Sequence, residues 1–524
     1  MKKLKNKFLI VLFSLFAVNS INLSCTNDLN TKPEIELSLE ELLAQDPKAV
    51  EGILSRLYGS FALSGADGPG SSDISDDAGE SPFLRGIVNL QDFAADAMKN
   101  RWGDNGLDQL TTTSNWTSEN KFFRYLFNRI FFTIPQCNNL LTILPNVEVN
   151  DKEIITSEVR FLRSLAYFYL VDVFGKGVLA TEINYGQGTP LPEASRIELF
   201  EYIETELLAI EPLLPAVNTY GRATKGAAQM LLAKLYLNAE VYTGTERYAD
   251  AANYANKVIT EGTYTLDANF VDVFSGDNEN STEIIFPLIA DAEVSQSFGN
   301  TTYIVNGSLL ADTTPLADFG ATDGWGGHRS SKAWYGLYGD LSTSNDERSK
   351  LFWTTGHSFE MNDYREWTDG YPSVKFRNTS STGSSGATAF SSTDFPLFRL
   401  ADAYLMYAEC AIKNASGTDI NTALTYVNLV RGRAKADLVN LIDIQGNGPN
   451  GLPFIINERA RELNLEGHRR TDLIRFNLFT GNTYLWPWKG GVKDGTSIPS
   501  TYKLYPIPSS ALQANPNLSQ NPGF

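Results

Sequence analysis

Six consecutive residues, Arg101-Trp102-Gly103-Asp104-Asn105-Gly106, put an indole, a guanidinium, a carboxylate and a carboxamide into one short stretch. The indole offers a flat apolar face, and the other three groups offer hydrogen bonds in defined directions. That set suits a ligand with a C–H face and a rim of hydroxyls. Glycines at 103 and 106 argue for a loop, where a large indole does not readily bury itself in a helix core. The run Thr322-Asp323-Gly324-Trp325-Gly326-Gly327-His328 repeats the theme, with Trp325 between glycines, and Tyr303 is a weaker third platform. Trp116, in Ser114-Asn115-Trp116-Thr117, reads as packing.

Proton chemistry has fewer candidates. Glu458, Glu462 and Glu466 lie in the run from Asn457 to Arg475, each with arginine close by. On a helix such spacing builds ion pairs at i, i+3 and i, i+4, and paired carboxylates stay ionised instead of holding a transferable proton. They read as scaffold. No H-E-x-x-H, G-x-S-x-G or P-loop pattern occurs in the sequence. His328, His357 and His468 stand singly and read as surface or hydrogen-bonding residues. With three His and three Cys in 524 residues, neither a metal centre nor a cofactor is expected.

Charge excludes a further class. Lys and Arg total 43 against 61 Asp and Glu, a formal charge of −18, which opposes phosphate binding at long range, so nucleic acid is not an expected partner. Hydrophobic content of 42% and charged content of 20% are values of a globular chain. The composition is unusual in its 23 Tyr and 8 Trp, which the platform residues put to use.

At the head, Lys2, Lys3, Lys5 and Lys7 precede the apolar run Phe8–Val18, too short for the ~20 residues of a spanning helix. That order is an export signal. It ends at Ile21-Asn22-Leu23-Ser24-Cys25, which resembles a bacterial lipoprotein box with Cys25 as the lipidated residue. Several acyl chains on one cysteine anchor a protein stably, so contact with the membrane is expected through this lipid alone, with Thr26–Pro33 as tether. Cys137 and Cys410 read as core thiols, with a bridge between them allowed by an oxidising compartment.

Helix must position these groups. Periodicity near 3.6 marks Asp151–Phe174, Ile197–Leu214, Thr224–Tyr242, Tyr248–Glu261, Phe395–Asn414, Ile420–Lys435 and Pro453–Phe476. Short β-branched runs at Glu283–Ile289 and Thr301–Val305 read as strands, and the Gly/Ser-rich stretches Ser64–Gly79 and Asn378–Thr393 as surface loops. Ala251–Val258 and Ala423–Val430 share the pattern A-x-x-Y-x-N-x-V, which resembles tetratricopeptide helix pairs. The copies lie far apart, so a mainly α scaffold with a large loop-rich insertion carrying a few short strands is the expected fold.

Several runs resemble the SusD/RagB family of surface glycan-binding lipoproteins. Glu458-Arg459-Ala460-Arg461-Glu462-Leu463, Glu466-Gly467-His468-Arg469 and Asp472-Leu473-Ile474-Arg475 are similar to that family's E-R-x-x-E-L-x-x-E-G-x-R-x-x-D-L-x-R. Tyr505-Pro506-Ile507-Pro508, Asn515-Pro516-Asn517-Leu518 and Gln520-Asn521-Pro522-Gly523-Phe524 resemble its ending, and Glu158–Tyr169 its E-x-R-F-L-R helix. The resemblance implies a signal at 1–24, a lipid-anchored tether at 25–33, an N-terminal helical region at 34–290 and a C-terminal region at 291–524 holding the ligand-facing insertion. It further implies that Trp102 stacks on glycan, that Asn105 hydrogen-bonds it, and that Trp325 is the second stacking ring, with Arg101 and Asp104 beside them. The implied protein is no enzyme. It binds oligosaccharide outside the cell, held to the outer membrane by lipid, and delivers it to a SusC-like TonB-dependent transporter. A peptide-capturing relative and a secreted glycoside hydrolase are the alternatives, the latter needing two carboxylates about 5–10 Å apart.

Overall fold

The computed structural model describes residues 39–74, 77–383 and 386–524; the expected signal, tether and lipidated Cys25 lie outside them. Contacts divide the chain into two units. The smaller takes in residues up to Gly52 with Asn146–Val149 and holds the helix Leu39–Gln45, with Leu43 buried. All that follows concerns the larger, Ile53–Pro145 and Asn150–Phe524.

Its scaffold is helical: α1 Lys121–Ile143, α2 Lys152–Val173, α3 Arg196–Ile210, α4 Lys225–Leu237, α5 Tyr248–Glu261, α6 Leu400–Ile412, α7 Ile420–Arg433, α8 Phe454–Leu463 and α9 Arg469–Arg475. Local chemistry sets the starts. Asn120, Thr224 and Asp419 accept backbone N–H bonds as N-caps, and Ser195 with Glu198 forms a capping box. Packing runs α1 on α2, α2 on α3, α4 on α5, α5 on α6 and α6 on α7. Fully buried Ala227, Ala251, Ala255, Ala403, Ala408 and Ala423 let these axes approach. The two copies of the repeated pattern fall on α5 and α7, and the Tyr426 hydroxyl of one lies 3.4 Å from Asn256 Oδ1 of the other. The helix stack is therefore continuous in space although the insertion separates α5 from α6 in sequence.

Four short strands serve the insertion: β1 Met98–Asn100, β2 Ile284–Leu288, β3 His328–Ser330 and β4 Phe395–Arg399, paired antiparallel as β1 with β3 and β2 with β4. Thr301–Val305 differs from the expected strand. It lies in the helix Thr301–Gly307, where the Asn300 side chain accepts the Thr302 N–H and every residue is buried, so the cap and packing outweigh β propensity. The expected helix from Phe395 is strand up to Arg399, because those residues pair with β2. Pro453–Phe476 is two helices, broken where Leu465 and Gly467 take φ of 68° and 76°.

An ion-pair core ties the insertion to α8. Arg348 reaches Glu458 and Glu462, each at 2.9 Å, and Arg399 reaches Glu283 at 2.8 Å, Glu462 at 2.7 Å and Glu466 at 2.6 Å, all of them buried. Burial alone would raise the Glu458 and Glu462 carboxyls. Arg348, Arg461 and Arg431 around Glu458, and Arg433, Arg399 and Arg348 around Glu462, instead bring each down to about 2. They are ionised near neutrality and organise the fold. Cys137 and Cys410 are both free and buried, so the possible bridge is absent, and burial pushes the Cys137 thiol up to about 12. Among the described residues no helix is long and apolar enough to cross a membrane, and no group of His, Cys, Asp and Glu could hold a metal ion.

Candidate functional site

The β1–β3 register assembles the two tryptophan loops. Met98 faces Ser330, Lys99 faces Arg329 and Asn100 faces His328. One step further the Arg101 N–H donates to the Gly327 carbonyl at 3.1 Å, which leaves Trp102 beside Gly326 and Trp325. Behind them the Trp325 and Gly327 N–H groups donate to the carbonyls of Asn306 and Gly307 at 2.7 and 2.8 Å. Gly103, Asp104, Asn105 and Gly106 then take φ of 85°, 31°, 45° and 132°. Four left-handed residues in succession make a tight reversal that only glycine and short polar residues accept readily.

Both indoles are half-buried, with centroids 6.4 Å apart and planes at 52°. Their N–H groups are both engaged within the protein. Trp102 Nε1 donates to the Trp325 carbonyl at 3.1 Å, and Trp325 Nε1 to Asp323 Oδ2 at 2.8 Å. Phe298, 40% exposed, lies 6.4 Å beyond Trp325 and 4.9 Å from Phe390, so the aromatic surface continues past the second indole. Phe298 escaped the sequence reading, although Gly299 beside it is the same kind of flag that marked Trp102 and Trp325.

Tyr303 requires correction as a platform. It is 0% exposed and lies beneath Trp102 at 6.0 Å, its hydroxyl donating to Asn89 Oδ1 at 2.7 Å and its ring under the Arg85 guanidinium at 4.3 Å. A ring sealed on all sides holds up the platform without touching what lies on it. His328, expected at a surface or in a hydrogen bond, is likewise buried, 5.2 Å from Trp102 and 4.5 Å from Tyr303. Burial first, then Arg85 and Arg329, holds its imidazole well below the ordinary range, so the support under Trp102 carries no titrating charge near neutrality.

The polar residues divide. Asn105 is exposed at the tip of its loop. Asp104 lies 3.4 Å from Arg85, which also donates to the Gly79 carbonyl at 3.2 Å. Arg101 turns back, its Nε donating to the Gly326 carbonyl and its guanidinium 5.7 Å from the Trp367 ring. Trp116, 4% exposed, stacks on Tyr502 at 4.3 Å and is packing. Rigid ring faces with an adjacent carboxamide can stack on and hydrogen-bond a sugar. The nearby carboxylates Asp104 and Asp323 are already engaged by Arg85 and the Trp325 indole.

Residues 282–524 match the model of the SusD family, and residues 80–237 match one described as starch-binding associating with outer membrane. The chain is 33% identical to starch-binding protein SusD of Bacteroides thetaiotaomicron, over 99% of this chain and 100% of the relative. A SusD-like carbohydrate binding protein from Bacteroides fragilis superposes with a TM-score of 0.72 at 20% identity, covering 91% of this chain and all of that one. Surface glycan-binding protein A from Bacteroides thetaiotaomicron, solved with laminarihexaose, does so at 0.68 and 20% identity, covering 90% and 99%. Motifs, helical architecture and full-length similarity agree: the chain belongs to the SusD family.

Proposed function

We propose that this protein captures an oligosaccharide by stacking it on Trp102 and Trp325, with Asn105 hydrogen-bonding at the edge, and releases it unchanged. The observation that carries this is the indole pair: two half-exposed rings 6.4 Å apart, each N–H engaged internally, so that ring faces are what the surface offers. Stacking of this kind is worth roughly 0.5–1.5 kcal/mol per ring beyond area burial, which suits a receptor that must let go. Starch-type α-glucan is the first candidate, since the full-length relative at 33% identity is named for starch. Anchorage through Cys25 to the outer membrane, facing outward, and delivery to a SusC-like TonB-dependent transporter complete the reading.

Affinity electrophoresis through gels cast with amylopectin or laminarin tests it. Wild type should be retarded in at least one gel, and Trp102→Ala and Trp325→Ala should migrate as in the sugar-free control. Equal retardation of all three proteins would sink the site. New reducing ends after incubation with maltoheptaose would contradict a purely binding role.

A further inference from the structure

Trp488 sits where a tryptophan is least comfortable. Its φ of 69° and ψ of 8° are left-handed, a conformation that disfavours bulky side chains, and its indole Nε1 is buried without a hydrogen-bond partner. Yet the side chain is only half-buried, so core packing does not account for a ring held at these two costs.

The loop around it is firmly built. The Lys489 ammonium lies 4.2 Å from the Trp486 ring and donates to the Gly481 and Tyr484 carbonyls at 2.9 and 2.7 Å. The Gly491 N–H donates at 3.0 Å to the carbonyl of Thr112, the residue that ends the short helix Leu107–Thr111. That helix begins directly after the Trp102–Asn105 loop. Trp488 is thus braced against the element that follows the platform.

A contact chain joins the two places. Asp108 lies 3.5 Å from Arg365, the Arg365 Nε donates to the Tyr364 hydroxyl at 3.1 Å, and the Tyr364 ring meets Trp488 at 5.0 Å and 69°. Asn362 and Asp363 are exposed beside it, and Lys493 reaches Asn362 Oδ1 at 2.7 Å. Charges of both signs alternate across this strip, which fits a neutral hydroxylated chain better than a sulfated or uronic one.

We propose that Trp488, with Arg365 and Asp108, forms a distal subsite that takes the far end of a long neutral oligosaccharide whose near end lies on Trp102 and Trp325. This rests on the glycan reading above. Calorimetry with maltotriose and maltoheptaose, and with laminaritriose and laminarihexaose, tests it. In the series that binds, Trp488→Ala should lower the long-to-short affinity ratio about tenfold, and Arg365→Ala should lower it in the same direction. Trp102→Ala should weaken both lengths. An unchanged ratio in Trp488→Ala, or equal loss at both lengths, overturns the subsite and leaves the glycan reading standing. No binding of either series by wild type removes both. If Trp488→Ala does not fold, Arg365→Ala decides by the same criterion, and so does hydroxyl-radical footprinting of wild type, where the long sugar should protect Trp488 and the short one should not.

Discussion

Gly327 lies so close to Trp102 that a Cβ built on it would stand 2.3 Å from both Cε2 and Cζ2 of the indole. The glycine is required by close approach, and the indole's seat is made of backbone. Gly327→Ala should therefore push the ring off its seat and weaken oligosaccharide binding about tenfold, in the direction expected of Trp102→Ala. Calorimetry on the folded variant would read this directly. Wild-type affinity in Gly327→Ala would mean that the ligand does not depend on where that ring stands.

Tyr303 supports a different expectation. Its hydroxyl is the partner of Asn89 inside a sealed layer, so Tyr303→Phe strips a buried carboxamide of its donor at a cost of about 1–3 kcal/mol. The ring stays beneath Trp102. Urea unfolding should show the loss while sugar affinity of the folded protein stays as in wild type. A variant of unchanged stability that loses affinity would restore Tyr303 to the binding surface.

How far the sequence disclosed this molecule depends on the range of the forces involved. The helices from Asp151 to Glu261 are legible because an apolar stripe at 3.6-residue spacing is a local signal, and their observed bounds differ only at the ends and at Asn238, where the expected Thr224–Tyr242 becomes two. Trp102 and Trp325 are legible from flanking glycines. What no local pattern carries is the β1–β3 register that brings the two loops together, or the depth of Tyr303 and His328 beneath them. Thr301–Val305 misleads for the same reason: β-branched composition is local, whereas the packing that makes it helix is not. Trp488, followed by Lys489 and two glycines, carries the flag that marked the other loops and goes unread.

Asp92 provides a pH test. Its Oδ2 accepts the Gly467 N–H at 2.9 Å, and burial raises its carboxyl from an ordinary 3.8 to about 7. The folded protein thus holds this proton more tightly than the unfolded chain. That contribution is complete below about pH 4, declines as pH rises toward about 7, and is gone above it. Asp92→Asn keeps an acceptor for Gly467 and cannot ionise. Its Tm relative to wild type should climb between pH 4 and pH 8, and a constant difference across that range would show that Asp92 does not titrate there.

Glu462 and Glu458 pull the other way. Both are carboxyls of ordinary value 4.5 held at about 2 by surrounding arginines, so the folded state favours the anions. Their contribution is complete above about pH 4.5 and is lost as pH falls from there through about 2. Wild type should accordingly lose Tm steeply on that limb. Glu462→Gln removes one anion facing Arg348, Arg399 and Arg433 and leaves buried guanidinium charge uncompensated, a change of about 3–5 kcal/mol at neutral pH. Because the variant has already lost that anion, its acid limb should be flatter than wild type. Parallel acid limbs in wild type and Glu462→Gln would show that the stability of this core does not come from keeping Glu462 ionised.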